Sequence, residues 1–223
     1  MTLSKYQIKS LRWGSHVPVT LAIIKTFPIT GALELGAGTH STKVLFDNLK
    51  YVTSIENDLS WINKLRKNLI EDETHQIVHQ LLPENIRLDT PSEHIETSVL
   101  EEASEFYKQY LAYELDYLFV DCFSGFRLQA LTTLYQNFNV ITYHDANERY
   151  DKHYGYSKFF PSDDYVHFID ETFEAHTGLL ISNYFRYLIP EFKENLAIEA
   201  KKFAELYDTT CRFDIKELDS TDH

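Results

Sequence analysis

Glycine is scarce in this chain of 223 residues. Seven are present, beside six prolines, two cysteines and one methionine. So few glycines and prolines exclude a collagenous or low-complexity protein. Two cysteines, Cys122 and Cys211, make no disulfide framework and point to a reducing compartment. Cationic residues are also short, with 21 Lys and Arg against 34 Asp and Glu for a formal charge of −13. A field of that sign repels phosphate, so neither nucleic acid nor an anionic membrane is expected as a partner. No stretch reaches the roughly 20 apolar residues that cross a bilayer. Met1 to Trp13 carries Lys5, Lys9 and Arg12 and lacks the apolar centre of a signal peptide. A soluble, cytoplasmic protein is the expectation, with a homo-oligomer left open. His75, His79 and His94 stand in no zinc-type spacing and read as surface residues. There is no Gly-x-Ser-x-Gly elbow, no P-loop, no internal repeat and no linker.

The chain that remains is ordinary for one globular domain over 1–213, at 43% apolar and 25% charged. Residues 1–30 read as a helical lead-in and 31–145 as a core. Residues 146–213 read as strands and a helix, and 214–223 as a polar tail that frays. Within the core, strand-like runs alternate with helical stripes. Ala32–Leu35, Tyr51–Ile55, Gln76–Leu82, Tyr117–Val120 and Val140–Tyr143 are the strands. Helices fall over Thr39–Leu49, from Asp58 as N-cap through Leu69, over Val99–Leu111 and from Leu128 to Phe138. This alternation predicts an α/β, three-layer, Rossmann-like, doubly wound and mainly parallel sheet. Tyr165–Ile169 and Gly178–Ser182 add an antiparallel C-terminal pair, and Pro190 opens a last helix. Parallel crossovers place all carboxyl strand ends on one edge, where ligands of open α/β sheets bind. Gly36, Gly38, Glu56, Asp121, His144 and Asp145 are expected to meet there.

Three of the seven glycines, Gly31, Gly36 and Gly38, fall within eight positions. In Glu34-Leu35-Gly36-Ala37-Gly38-Thr39-His40-Ser41-Thr42 a strand ends in a loop that can approach a ligand, and a helix N-terminus follows. A dinucleotide site would place an apolar residue where Glu34 stands. A buried acid needs a cationic or polar partner, which the ammonium or sulfonium region of S-adenosylmethionine (SAM) supplies and a pyrophosphate does not. Glu56, 18 residues past Gly38, suits the two hydroxyls of a ribose. A plain strand–helix turn is the structural alternative for the loop. A helix cap is the alternative for Asp58, and a core position for Trp61.

The phrase from Leu33 to Thr42, with Ser54-Ile55-Glu56-Asn57-Asp58 and Trp61, resembles the class I SAM-dependent methyltransferases. The branch it resembles carries the patterns LELGxGxST and SIExDxxW. The resemblance spans about residues 15–150 and departs at His40, where many members carry a third glycine. It implies that Glu34, Gly36, Gly38, Ser41 and Thr42 hold the methionine end, and that Glu56 with Asn57, near Asp121, holds the nucleoside. Asp121, Gly125, Arg127, His144, Asp145, Asn147 and Arg149 are similar to a motif region of glycan (glucuronoxylan-type) O-methyltransferases. That comparison makes a sugar acceptor, with Asn147 in its site, a live option. By their own chemistry Asp121, His144 and Asp145 activate or position the acceptor, His144 as general base, Arg127 and Arg149 pair with an acidic group on it, and His16 sits over its site. Metal-dependent O-methyltransferases match only in part, through Asp121 and the separated Asp145 and Asn147 as ligands of a divalent metal.

Other readings of the same residues stay open. Asp121 and Asp145 could cap helices, and His144 could be a structural histidine. Arg127 and Arg149 could neutralise the acidic rim, His16 could be a solvated loop residue, and 151–156 could form a lid. Cys122 beside Asp121 reads as a poor nucleophile. A nicotinamide-dependent oxidoreductase shares the loop and Glu56. An aminopropyltransferase shares the fold but not the acidic pair expected after the fourth strand. A non-catalytic scaffold shares the fold alone. The leading expectation is O-methylation of a small-molecule or carbohydrate acceptor.

Overall fold

A computed structural model describes residues 14–83, 86, 90–207 and 211–218. Eight strands form one sheet: β1 Gly31–Leu35, β2 Tyr51–Glu56, β3 His75–His79, β4 Tyr117–Val120, β5 Val140–His144, β6 Tyr165–Asp170, β7 Thr177–Ser182 and β8 Ile215–Leu218. Their order is β3-β2-β1-β4-β5-β7-β6-β8. β1 to β5 pair in parallel. β7 runs antiparallel to both β5 and β6, and β8 antiparallel to β6. The expected mainly parallel sheet with an antiparallel C-terminal pair is therefore present.

Two apolar cores explain the layers. Side chains alternate across a strand. Leu33, Leu35, Leu118 and Val120 accordingly enter one cluster with Tyr107, Phe126 and Leu131. Ala32, Tyr117 and Phe119 enter another with Val19, Ile23, Phe192 and Leu196. The first lies under helices α4 Thr97–Lys108 and α5 Arg127–Leu134. The second lies under α1 His16–Thr26, α2 Ser41–Asn48 and α7 Ile189–Leu206. α1 packs along α7, and Pro190 stands in the first turn of α7. Between β2 and β3, α3 Leu59–Leu65 buries Ile62 and Leu65 against Ala37 and Ile77. Asp58 caps it, its carboxylate accepting the N–H groups of Ser60 and Trp61. No described helix is long and apolar enough to cross a membrane.

One glycine is needed for packing alone. Gly178 pairs with Tyr143 across β5 and β7, and a Cβ there would sit 1.9 Å from the Tyr143 ring. The ring thereby reaches His167, whose Nε2 lies 2.5 Å from the phenol oxygen.

Three expectations need correction. Residues 215–218 do not fray but form β8 on the edge strand β6. His75 and His79 are not free at the surface. Both are half-buried, and their Nε2 atoms lie 3.0 Å from the carbonyls of Leu49 and Asn57. His16 is no solvated loop residue, since it opens α1 and is 3% exposed. The lead-in 1–13 and the tail end 219–223 lie outside the described residues.

Candidate active site

The strand order reverses between β1 and β4, and ligands of such sheets bind in the crevice at that switch point. Gly36 marks it. Its φ is +94°, a left-handed conformation that suits glycine. A Cβ at this position would also lie 2.2 Å from the Asp121 carbonyl oxygen. Gly36 thus lets the loop after β1 cross directly over the end of β4. The loop is held on its other side by Trp61, whose indole N–H donates to the Ala37 carbonyl at 2.8 Å.

Glu34 lies beneath this loop and is fully buried. Its Oε2 accepts the hydroxyls of Thr42, at 2.7 Å, and Ser54, at 2.5 Å. Its Oε1 has no hydrogen-bond partner among the described residues. Burial pushes its pKa up to about 7, against the hydroxyls of Ser41, Ser54 and Thr42. The Thr42 hydroxyl also accepts the Gly38 N–H at 2.9 Å, so its proton and one of its two lone pairs are already used. Glu34 and Thr42 thus tie β1, β2 and the first turn of α2 together. Ser41 and His40 are buried beside them.

Glu56 ends β2 and is half-buried. Its Oε1 accepts the N–H groups of Asn57 and Asp58, at 2.8 and 2.9 Å. Among the described residues no hydrogen bond to Oε2 accompanies these two. Burial, with Asp58 and Asp121 nearby, raises its pKa against those two bonds.

The ends of β4 and β5 form the other half of the rim, and Arg127 organises it. The guanidinium is buried at 7% exposure. Nη2 reaches Asp121 at 2.6 Å and Nη1 reaches Asp145 at 3.3 Å. Nε donates to the Cys122 carbonyl at 2.8 Å, and Nη1 also donates to the His144 carbonyl at 3.0 Å. The Tyr154 ring stacks on its face, 4.2 Å from ring centre to guanidinium carbon. Arg127 therefore neutralises the acidic rim and offers no free fork to an acceptor. Burial works against the Asp121 carboxylate, but Arg127 and then His144 outweigh it and hold its pKa down to about 2.

His144 is buried, with Nε2 2.9 Å from the Ser15 hydroxyl and Nδ1 3.4 Å from Asp121. Burial disfavours its charge, yet Asp121 and Asp145 move its pKa upward overall. Asp145 follows with φ of +59°, the left-handed region that a non-glycine residue enters at a cost. Its carboxylate is held by Arg127 and by the Tyr154 hydroxyl at 3.2 Å. The segment 148–158, which includes α6 Asp151–Tyr154, covers this part of the rim, and the Tyr156 hydroxyl donates to the His144 carbonyl.

His16, from α1, completes the cluster. Its ring lies 5.0 Å from that of Phe119 and 4.8 Å from that of His144, edge-on to the latter. Burial first, then His144, keeps it neutral, with a pKa well below the ordinary histidine range. The local sequence gave no period to show this burial. The available signal was a histidine immediately before the apolar run Val17–Ile23.

Two expected contact residues lie apart from the cluster. Asn147 donates to the Glu174 carbonyl and accepts the His176 N–H, at 2.8 and 2.9 Å. Its side-chain amide is thus turned to the segment around Glu174 and His176. Arg149 is half exposed and pairs with Glu174. The Cys122 thiol is pushed up to about 12, by burial more than by Asp121, which fits a poor nucleophile. A cleft of about 280 Å³ near Pro161, Tyr165 and Asn183 lies at the amino end of β6, away from the rim.

No family model matches the chain, and no curated protein matches it. Solved structures do show likeness. A methyltransferase-like protein from Silicibacter pomeroyi aligns over 83% of this chain and 96% of its own, at 16% identity and a TM-score of 0.49. A protein described as a methylase, from Haemophilus influenzae, aligns over 75% and 88%, at 19% identity and 0.44. Spermidine synthase from Thermotoga maritima aligns over 89% and 64%, at 16% and 0.42. At these identities and scores the function must be argued from the rim itself.

Proposed function

We propose that the chain is a SAM-dependent methyltransferase acting on a hydroxyl of a small or glycan-like acceptor. The observation that carries this reading is Glu34. An acid is fully buried at the switch point with one oxygen unpartnered among the described residues, and burying such an oxygen is costly unless a donor satisfies it. The ammonium group of SAM is a donor of the right charge. Glu56 suits the ribose, so the residues present fit an adenosyl cofactor. The cofactor brings a methyl group activated on a sulfonium.

The protein's own part is placement. The Gly36–Gly38 loop and Glu34 would hold the methionine end, Glu56 would hold the nucleoside, and Asp121, at the end of β4, would serve both the cofactor and the acceptor. In this reading His144 and Asp121 position the acceptor hydroxyl, and Asp145 takes its proton. Most of the acceleration then comes from aligning two reactants. A nicotinamide cofactor fits less well. Its pyrophosphate gains nothing from Glu34, and the antiparallel β7 departs from the all-parallel dinucleotide order.

Thermal unfolding with S-adenosylhomocysteine, and separately with NAD, tests the proposal. At one hundred times Kd a true ligand raises Tm by about 5–10 °C. A rise with the adenosyl ligand alone supports the reading. A rise with NAD alone, or with neither, overturns it.

A further inference from the structure

His16, Asp121 and His144 come from α1, the end of β4 and the end of β5. Each offers a ligand atom, and these atoms all lie within 4.8 Å of one another. From this juxtaposition we propose a binding site for a divalent transition-metal ion formed by His16, Asp121 and His144. It replaces the oxygen-rich set of Asp121, Asp145 and Asn147.

Three features of the site point to a metal ion. The first is His16, which is 3% exposed while neither ring nitrogen has a hydrogen-bond partner among the described residues. A buried imidazole ordinarily satisfies at least one nitrogen. The second is the support behind the other two ligands. Metal-binding histidines commonly engage their second nitrogen, and ligating carboxylates are themselves held. His144 engages Ser15 through Nε2, which leaves Nδ1 toward Asp121. Asp121 engages Arg127 through Oδ1, which leaves Oδ2 toward His144. The third is access, since the Asp121 side chain is 25% exposed while both histidines are buried.

Two imidazoles and one carboxylate select zinc, cobalt, iron or nickel over magnesium or calcium, which favour oxygen ligands. Metal–ligand bonds of about 2.0–2.2 Å require the three groups to draw together slightly on binding. Open positions would remain for a water or an acceptor oxygen. Within the methyltransferase reading, on which the metal site does not depend, such a cation lowers the pKa of the acceptor hydroxyl.

The test is Co²⁺ titration of the chelator-treated full chain, followed by its visible absorption spectrum, with Mg²⁺ as competitor and without any adenosyl ligand. One equivalent should bind, with nitrogen–oxygen coordination bands that excess Mg²⁺ does not displace. His16→Gln should weaken binding about 100-fold or more. Ser15→Ala, which removes only the support of His144, should weaken it roughly tenfold. Circular dichroism and Tm of each variant establish that it folds. Should His16→Gln not fold, the wild type still decides, because bound Co²⁺ must shift the imidazole proton resonances of both His16 and His144. Absence of saturable binding, unchanged affinity in folded His16→Gln, or unshifted His16 resonances would overturn the site. Failure of the methyltransferase reading would show separately, as absent S-adenosylhomocysteine binding.

Discussion

The two halves of the rim treat buried charge in opposite ways. At the ends of β1 and β2, Glu34 and Glu56 each bind the protein through one carboxylate oxygen, and the other makes no hydrogen bond among the described residues. At the ends of β4 and β5, Arg127 joins Asp121 and Asp145, and its three nitrogens are all engaged. In the proposed reading the first half is the receptor, its oxygens taking a cation and hydroxyl donors. The second is an ion network in which, among the described residues, the His16 ring nitrogens stand unpartnered. Substitutions should therefore cost mainly binding in the first half and mainly stability in the second.

The largest effect should come from Arg127→Met. It leaves two acids near a buried position without their cation, and breaking such a pair typically costs about 3–5 kcal/mol. Denaturant unfolding measures this, and a loss below 1 kcal/mol would break the comparison.

Glu34→Gln comes next and has the opposite sign at alkaline pH. The Glu34 pKa is raised from 4.5 to about 7 in the folded chain. The folded state therefore binds more protons than the unfolded one between those values. The stability contributed by this carboxyl is complete below about pH 4.5 and is lost as pH rises through about 7. Glutamine removes the titration while keeping an oxygen for Thr42 and Ser54. The variant should gain about 1–3 kcal/mol at pH 8 relative to wild type, with a flatter Tm profile between pH 4.5 and 7. A parallel profile would show that Glu34 does not titrate there.

Glu56→Ala should weaken S-adenosylhomocysteine by tenfold or more, about 1.4 kcal/mol, while the unfolding midpoint stays nearly constant. Unchanged affinity by calorimetry removes the ribose assignment. The smallest effect is expected at Arg149→Ala. This exposed pair with Glu174 lies outside the network, so neither Tm nor ligand affinity should move.

What the sequence disclosed follows the same division. β1, β2, β4 and β5 were legible because buried parallel strands read as short apolar runs. Gly36 was legible because so few glycines compete with it, and Asp58 and Pro190 because cap and first-turn preferences are local. β8 escaped because Ile215–Leu218 is a polar edge strand that needs only one partner, β6. His16 escaped because its burial depends on α1 lying over Phe119 and against His144, a tertiary fact with no local signature. The Arg127 network was half legible. Its residues were singled out, but no spacing shows that one guanidinium spans Asp121 and Asp145. Asn147 was singled out because its neighbours in sequence belong to the rim, and no spacing shows that its own amide binds the segment around Glu174 and His176.

The most direct measurement is calorimetric titration of the wild-type chain with S-adenosylhomocysteine at pH 6 and pH 8, in buffers of differing ionisation enthalpy. An ammonium group seated at the free oxygen of Glu34 requires the carboxylate. Binding should therefore be micromolar and tighter at pH 8, with a proton released on binding at pH 6 that Glu34→Gln no longer releases. No binding at either pH, or equal binding with no proton released, would contradict the assignment of Glu34 as the receptor of the cofactor's ammonium group.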